Sequence, residues 1–181
     1  MNKEQLREKF GQPSKRAAEK IIPYMSEWVQ SFIQNSPFAV LATADADGNC
    51  DASPRGGKPG FVKVLDDKRL LIPDIRGNRV FDSYGNTAEN PKAGLVFMIP
   101  GFNYTARVNG RVSYLDKDEV DALGIEGEVF DPDEKAITLQ GILLEVDEAY
   151  GHCPRSLSFG RVWDIEQIEH NRANPPEAIF G

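Results

Sequence analysis

The sequence predicts a mainly β protein, an antiparallel β-barrel with peripheral helices, folded as one domain over residues 1–181. Three observations predict it. The chain has 181 residues, a length that suits one domain and buries roughly 70% of its extended surface without staples. From Phe38 onward, short apolar runs and period-2 alternation replace helical spacing. The helical segments gather ahead of the strands instead of alternating with them, which argues against βαβ units. No internal repeat or low-complexity linker divides the chain.

Residues 3–34 read as helix in pieces. Leu6 and Phe10 share a face, Pro13 breaks the run, and Ser14 caps a stripe of Ala17, Ala18, Ile21 and Ile22. After Pro23, Met25, Trp28, Val29, Phe32 and Ile33 repeat at helical spacing. All three stripes are expected to pack on the core. Phe38–Thr43 and residues 49–54 flank the turn signal Asp45-Ala46-Asp47-Gly48, which makes a β-hairpin of 38–54. Phe61–Leu65 and Leu70–Pro73 repeat the pattern around Asp66-Asp67-Lys68. Arg79–Glu89 is weakly helical and Gly94–Ile99 is a buried strand. In Thr105–Tyr114, Ala106, Val108 and Val112 face one way and Arg107, Asn109 and Arg111 the other. An acidic helix over Asp116–Leu123, a strand over Ile137–Val146 and a short helix or turn over Pro154–Trp163 follow. A loose tail over about 173–181 ends the chain.

Charge narrows the partners. The net charge is −7, so a generic nucleic-acid binder, which needs Lys and Arg in excess, is excluded. Residues 113–150 hold two basic and twelve acidic side chains, whereas residues 51–80 hold seven basic and four acidic. The carboxylates of 116–134 lack the glycine and spacing of a calcium loop and read as a solvated face. Cys50, Cys153, His152 and His170 lack metal-site spacing, so no metal is expected. No signal-peptide run or membrane span is present, and a cytoplasmic protein is expected.

The basic island falls on two loops. Ser53-Pro54-Arg55-Gly56-Gly57-Lys58-Pro59-Gly60 reads as a loop between strands, in which glycines let backbone approach a ligand and Arg55 offers a planar fork. Pro73-Asp74-Ile75-Arg76-Gly77-Asn78-Arg79 leaves a strand and opens a helix near Val80, where free N–H groups favour an anion. Either loop alone is equally a solvated turn. Together, Arg55, Lys58 and Arg79 supply the cations that a phosphate monoester of charge about −1.5 to −2 requires. An acidic protein with one basic island suits a phosphorylated small molecule.

These residues also carry a resemblance. Ser36-Pro37-Phe38, Leu41-Ala42-Thr43, Ser53-Pro54-Arg55-Gly56, Pro59-Gly60-Phe61-Val62, Ile72-Pro73-Asp74, Gly77-Asn78-Arg79, Asp82-Ser83, Val108-Asn109-Gly110-Arg111 and Cys153-Pro154-Arg155 stand in order from about 36 to 163. In that order the chain resembles the pyridoxamine 5'-phosphate oxidase-like proteins, the FMN-binding split β-barrels. The resemblance implies a homodimer with FMN at the subunit interface and a small-molecule substrate, with NAD(P)H as a candidate reductant. It implies an FMN-dependent oxidoreductase, with an FMN carrier or sensor, or a haem- or deazaflavin-binding split barrel, as the alternatives. It places Ser53, Pro54, Arg55, Gly56 and Lys58 on the flavin and its phosphate, Ile72 and Pro73 alongside the flavin, Asn78 and Arg79 on the phosphate, and Arg155 nearby. The backbone at Gly56-Gly57 is expected to donate to the flavin, and Arg55 or Arg155 to face its pyrimidine edge. No acid–base residue stands out. The closing residues Glu177-Ala178-Ile179-Phe180-Gly181 lack the Arg-Leu-Ala-Pro type ending of the true oxidases, so the resemblance extends to the broader FMN-dependent class.

Overall fold

The computed structural model describes residues 1–75, 80–124 and 138–176. Three short helices lead in: α1 (Lys3–Phe10), α2 (Lys15–Glu19) and α3 (Glu27–Gln34). Each begins at a side-chain cap, from Asn2, Ser14 and Ser26 respectively, which satisfies N–H groups that the first turn leaves open. Only α3 reaches the core, through Val29, Phe32 and Ile33, with Met25 just ahead of it. Phe10 is 73% exposed, and Leu6 and Ile21 also face solvent. The first two stripes therefore do not pack on the core as expected. Helical spacing marks a face without saying that a partner covers it.

The strands are β1 (Phe38–Ala44), β2 (Cys50–Gly56), β3 (Lys63–Val64), β4 (Arg69–Ile75), β5 (Lys92–Ile99), β6 (Phe102–Asp116) and β7 (Thr138–His152). The remaining helices are α4 (Asp82–Glu89), α5 (Lys117–Ala122), α6 (Arg155–Phe159) and α7 (Ile165–Ala173). The strands make one antiparallel sheet in the order β2-β1-β5-β6-β7-β4-β3. Among the described residues its two ends, β2 and β3, are unpaired edges. The β1–β2 hairpin turns where the sequence predicts: the Asp45 carboxylate accepts from the Asp47 and Asn49 N–H groups, and Gly48 takes φ +85°.

The concave face holds the core, which includes Ala39 and Leu41 of β1, Leu70 and Ile72 of β4, Leu95 and Phe97 of β5, Ala106 and Val108 of β6, and Ile142 and Leu144 of β7. Fully burying such side chains stabilises by roughly 1.5–3 kcal/mol each. β6 and β7, 15 residues each, pair from Thr105↔His152 to Asp116↔Gln140, with a register shift at Asn109/Gly110. A Cβ on Gly110 would sit 2.9 Å from both the Glu145 carbonyl carbon and Leu144 Cδ2, so that position needs glycine for close strand approach.

Candidate functional site

The pairing register sorts β1 and β2 into two faces. Ala39, Leu41 and Thr43 point to the core, and their partners across the ladder are Arg55, Ser53 and Asp51. Ser53 and Arg55 therefore stand on the concave side of an edge strand, while Pro54 and Gly56 face outward. Helix α4 crosses this end of the sheet. Arg55 Nη2 donates to Ser83 Oγ at 3.2 Å, and Ser83 is only 4% exposed. Asn86 Nδ2 donates to Thr43 Oγ1 at 3.0 Å. These bonds tie β2 and β1 to the helix.

On the opposite flank, Asp74 stands one residue before the end of β4, and its register partner on β7 is Gln140. Gln140 Nε2 donates to Asp74 Oδ2 at 3.4 Å. Between Arg55 and Asp74 lies Tyr84, packed against the core. Its ring stacks on Tyr114 at 4.9 Å between centroids and meets the edge of Phe81 at 5.9 Å. Tyr114 Oη donates to the Tyr84 carbonyl at 3.0 Å. The Tyr84 hydroxyl is buried. Asp74 and Gln140 are its hydrogen-bonding neighbours, close enough for both to shift its pKa. Burial first, and the Asp74 carboxylate second, push its pKa well above the ordinary tyrosine value; Gln140 and Arg55 act in the other direction and do not offset them. The phenol is a neutral donor over the whole physiological range.

Phe81, the residue just ahead of helix α4, has φ +62° and offers no side-chain cap. A left-handed conformation at an aromatic residue costs roughly 1–2 kcal/mol, and Phe81 is 49% exposed. The helix starts two residues later than the Val80 opening read from sequence.

Several expectations need correction. Ser53–Gly56 is the end of β2, not a loop. The Gly57 N–H donates to the Pro37 carbonyl at 3.0 Å, so it is not available to a flavin as expected. Gly60 is glycine because it takes φ +77° and a Cβ there would lie 2.9 Å from the Gln34 carbonyl oxygen, which is a packing reason. Part of the basic island serves the β3–β4 turn: Arg69 pairs with Asp66 at 2.7 Å, and Lys68 donates to the Pro23 carbonyl. Lys58 follows β2, and its carbonyl accepts from the Phe61 N–H at 2.9 Å. Ile72 is 1% exposed and Pro73 is buried, so neither presents surface to a ligand in one protomer. Asn78 and Arg79 lie outside the described residues.

Arg155 opens α6, exposed, with its guanidinium 5.1 Å from the Phe159 ring centroid. The register row Gly56–Phe38–Met98–Thr105–His152 puts this segment at the far end from Arg55. Four strand spacings of about 4.8 Å make roughly 19 Å along the sheet. One protomer does not bring Arg55 and Arg155 together. Sequence reasoning missed Asp74, Ser83, Tyr84 and Gln140 as site residues. The available signal was the α4 spacing, which sets Ser83 and Thr87 four apart on the buried side.

The family model described as pyridoxamine 5'-phosphate oxidase matches residues 25–153. The chain belongs to this family. The family match spans β1 through the end of β7, including Arg55, Asp74, Ser83, Tyr84 and Gln140, and ends before Arg155. The family fold is also seen in three solved structures. A candidate pyridoxamine 5'-phosphate oxidase from Lactobacillus delbrueckii is 20% identical, with a TM-score of 0.53 over 71% of this chain and 95% of that one. An FMN-binding protein from Syntrophomonas wolfei is 10% identical, with a TM-score of 0.50 over 83% and 96%. HupZ of Group A Streptococcus is 16% identical, with a TM-score of 0.50 over 70% and 93%. These likenesses establish the FMN-binding split-barrel fold. No curated protein matches the chain in sequence. Among the described residues no helix is long and apolar enough to cross a membrane, and no group of three or more His, Cys, Asp or Glu is placed to hold a metal.

Proposed function

We propose that this protein is an FMN-dependent oxidoreductase acting as a homodimer, with the flavin bound at the polar end of the concave face. The observation that supports this most is the meeting of Arg55, Ser83, Tyr84, Asp74 and Gln140, from four elements, at one end of the sheet. A half-buried guanidinium on an edge strand, with polar side chains of three other elements beside it, fits a phosphorylated small molecule. Arg55 would hold the phosphate through its fork, with Lys58, Asn78 and Arg79 supplying further donors and charge. Ser53 would line the same face, and the backbone of Ile72 and Pro73 would flank the flavin ring. When bound, FMN supplies the hydride and electron transfer, and the protein positions it. NADH or NADPH is the candidate electron donor.

The convex face supports the dimer. Phe38, Val40, Val96 and Met98 form an apolar centre with the small residues Ala42, Ala52 and Gly94 around it. Arg107, which donates to Tyr150 Oη at 3.2 Å, and Arg111 stand on the same face. A second copy seated there would cover the apolar centre and bring Arg155 toward its neighbour's site.

The decisive experiment is the absorption spectrum of the purified protein, followed by titration with FMN and with riboflavin. The expected result is bound flavin that exchanges with added FMN and prefers it over riboflavin, in a dimer by light scattering. Reduction by NADH or NADPH then tests turnover. Protein that carries no flavin and binds none when FMN is added would overturn the reading.

A further inference from the structure

Residues 1–19 are folded without support from their own barrel. α1 buries no residue, and its apolar pair Leu6 and Phe10, four apart on one face, is 43% and 73% exposed. Among the described residues, every hydrogen bond, ion pair and ring contact made by 1–19 has both partners within 1–19. Isolated helices shorter than about 12–15 residues are marginal in water and owe their stability to the packing of an apolar face. α1 has eight residues and α2 five. The capping box at Asn2 specifies a helix here, and the face that helix makes covers nothing in its own chain.

The arm is tethered at the rim of the convex face. Lys20 Nζ donates to the Gly151 carbonyl at 3.3 Å and lies 5.3 Å from the ring centroid of Tyr150, which stands on that face beside Arg107. Ile22 and Ala149 exchange backbone hydrogen bonds at 3.4 and 2.8 Å. Beyond the apolar centre, the same face carries a groove of about 510 Å³. Ala42, Ala52 and Gly94 floor it, with Cys50 and Asp147 at its rim. An amphipathic helix that lays residues i and i+4 into such a trough is a recurring mode of recognition. Charge agrees with it: residues 1–20 hold six basic and three acidic side chains, and the rest of the chain fifteen and twenty-five. To reach its own groove the arm would lay its apolar face across the polar row Arg107, Asn109 and Arg111 of β6, which favours the groove of a second copy. We propose, resting on the homodimer reading above, that α1 of each protomer docks in the convex-face groove of the other, with Leu6 and Phe10 seated over Ala42, Ala52 and Gly94. The two arms are exchanged across the two-fold axis, so the contact is made twice.

The test uses the full chain with Cys153→Ser, which leaves Cys50 as its one thiol, against the same chain carrying Leu6→Asp and Phe10→Asp. Neither side chain is buried in the barrel, so the variant keeps its fold. Sedimentation equilibrium gives the dimer dissociation constant. A colorimetric thiol reagent gives the reaction rate of Cys50 at a concentration where both proteins are dimers. The expected outcome is a dimer weaker by about tenfold or more, the loss of one or two buried apolar side chains, and a Cys50 that reacts severalfold faster. Lys9→Cys, added to the Cys153→Ser chain, should be bridged to Cys50 by a short bismaleimide into a covalent dimer on a denaturing gel. An unchanged dissociation constant, an unchanged Cys50 rate, or a bridge formed within a single chain would each overturn the inference and leave the homodimer standing. A wild-type protein that stays monomeric at every concentration would overturn the homodimer reading itself, and this inference with it.

Discussion

Replacing Arg55 with alanine separates phosphate recognition from flavin recognition. The side chain is half-buried on the concave side of β2, with Nη2 3.2 Å from Ser83 Oγ. Hydrogen bonds to charged groups contribute roughly 1.5–3 kcal/mol each, and partial exposure lowers that. A net loss of about 2 kcal/mol for FMN is about thirtyfold in affinity. Riboflavin has no phosphate and should lose less than about threefold. The fold also feels the change, because Ser83 is 4% exposed and keeps a hydroxyl without its donor. That costs about 1 kcal/mol, or a melting temperature about 2–4 °C lower for a chain of this size. Ser83→Ala should cost a similar amount, and the double variant should cost less than the sum, since both remove one shared bond. Fluorescence titration of both flavins against wild type and Arg55→Ala, with thermal melts of the flavin-free proteins, reads all of this. Equal weakening of FMN and riboflavin would refute the assignment of Arg55 to phosphate, as would unchanged FMN affinity.

Two further outcomes follow from the sheet and its surface. Gly110→Ala should cost about 3 kcal/mol or more, because the new methyl meets the Glu145 backbone across the β6–β7 ladder. Gly94→Ala meets only Asn109 Oδ1, at 2.7 Å, which can rotate away at the loss of its bond to Glu148, about 1 kcal/mol. Equal shifts in urea midpoint would show that the close approach at Gly110 is not rigid. The second outcome concerns Asp147, which a hydrogen bond from Lys92, and then the Lys92 charge, hold below the usual aspartate range. A depressed carboxylate contributes stability present above the unfolded value of 3.8 and lost as pH falls through the folded one. Lys92→Ala should move the Asp147 titration up toward 3.8 by NMR, and its small stability deficit should vanish in acid; an unmoved titration would rule the pairing out.

The features legible in the sequence are those with local causes. The β1–β2 turn follows from Asp45 and Gly48, whose side-chain acceptor and positive φ act within a few residues. The faces of β6 follow from period 2, and the structure keeps Ala106, Val108 and Val112 inside. Strand order was not legible, because β5 pairs with β1 and β4 with β7 through contacts far apart in sequence. Helix α7 was missed; its apolar residues are sparse, although the Asp164 cap that accepts from the Gln167 N–H was visible in the residues. In the site, Arg55 was legible through its basic, glycine-rich surroundings. Tyr84 was not, because nothing local distinguishes a phenol buried beside polar groups from one packed in the core. Proline and glycine made Ser53–Gly56 look like a loop; an edge strand accommodates Pro54, since half of its N–H groups point away from the ladder.

That edge also bears on how the molecule behaves when crowded. A free strand border is a template on which another chain can add itself, and long apolar borders seed fibrous aggregates. Here one border, β3, is only two residues long, too short to recruit a neighbour. The other carries Pro54, with no N–H to offer, and is followed by Gly57 and Pro59. Pro54 and the Gly57-Lys58-Pro59 stretch beyond it therefore limit strand addition at that border. Substituting them with β-branched residues in pursuit of a tighter sheet would trade solubility for strand length.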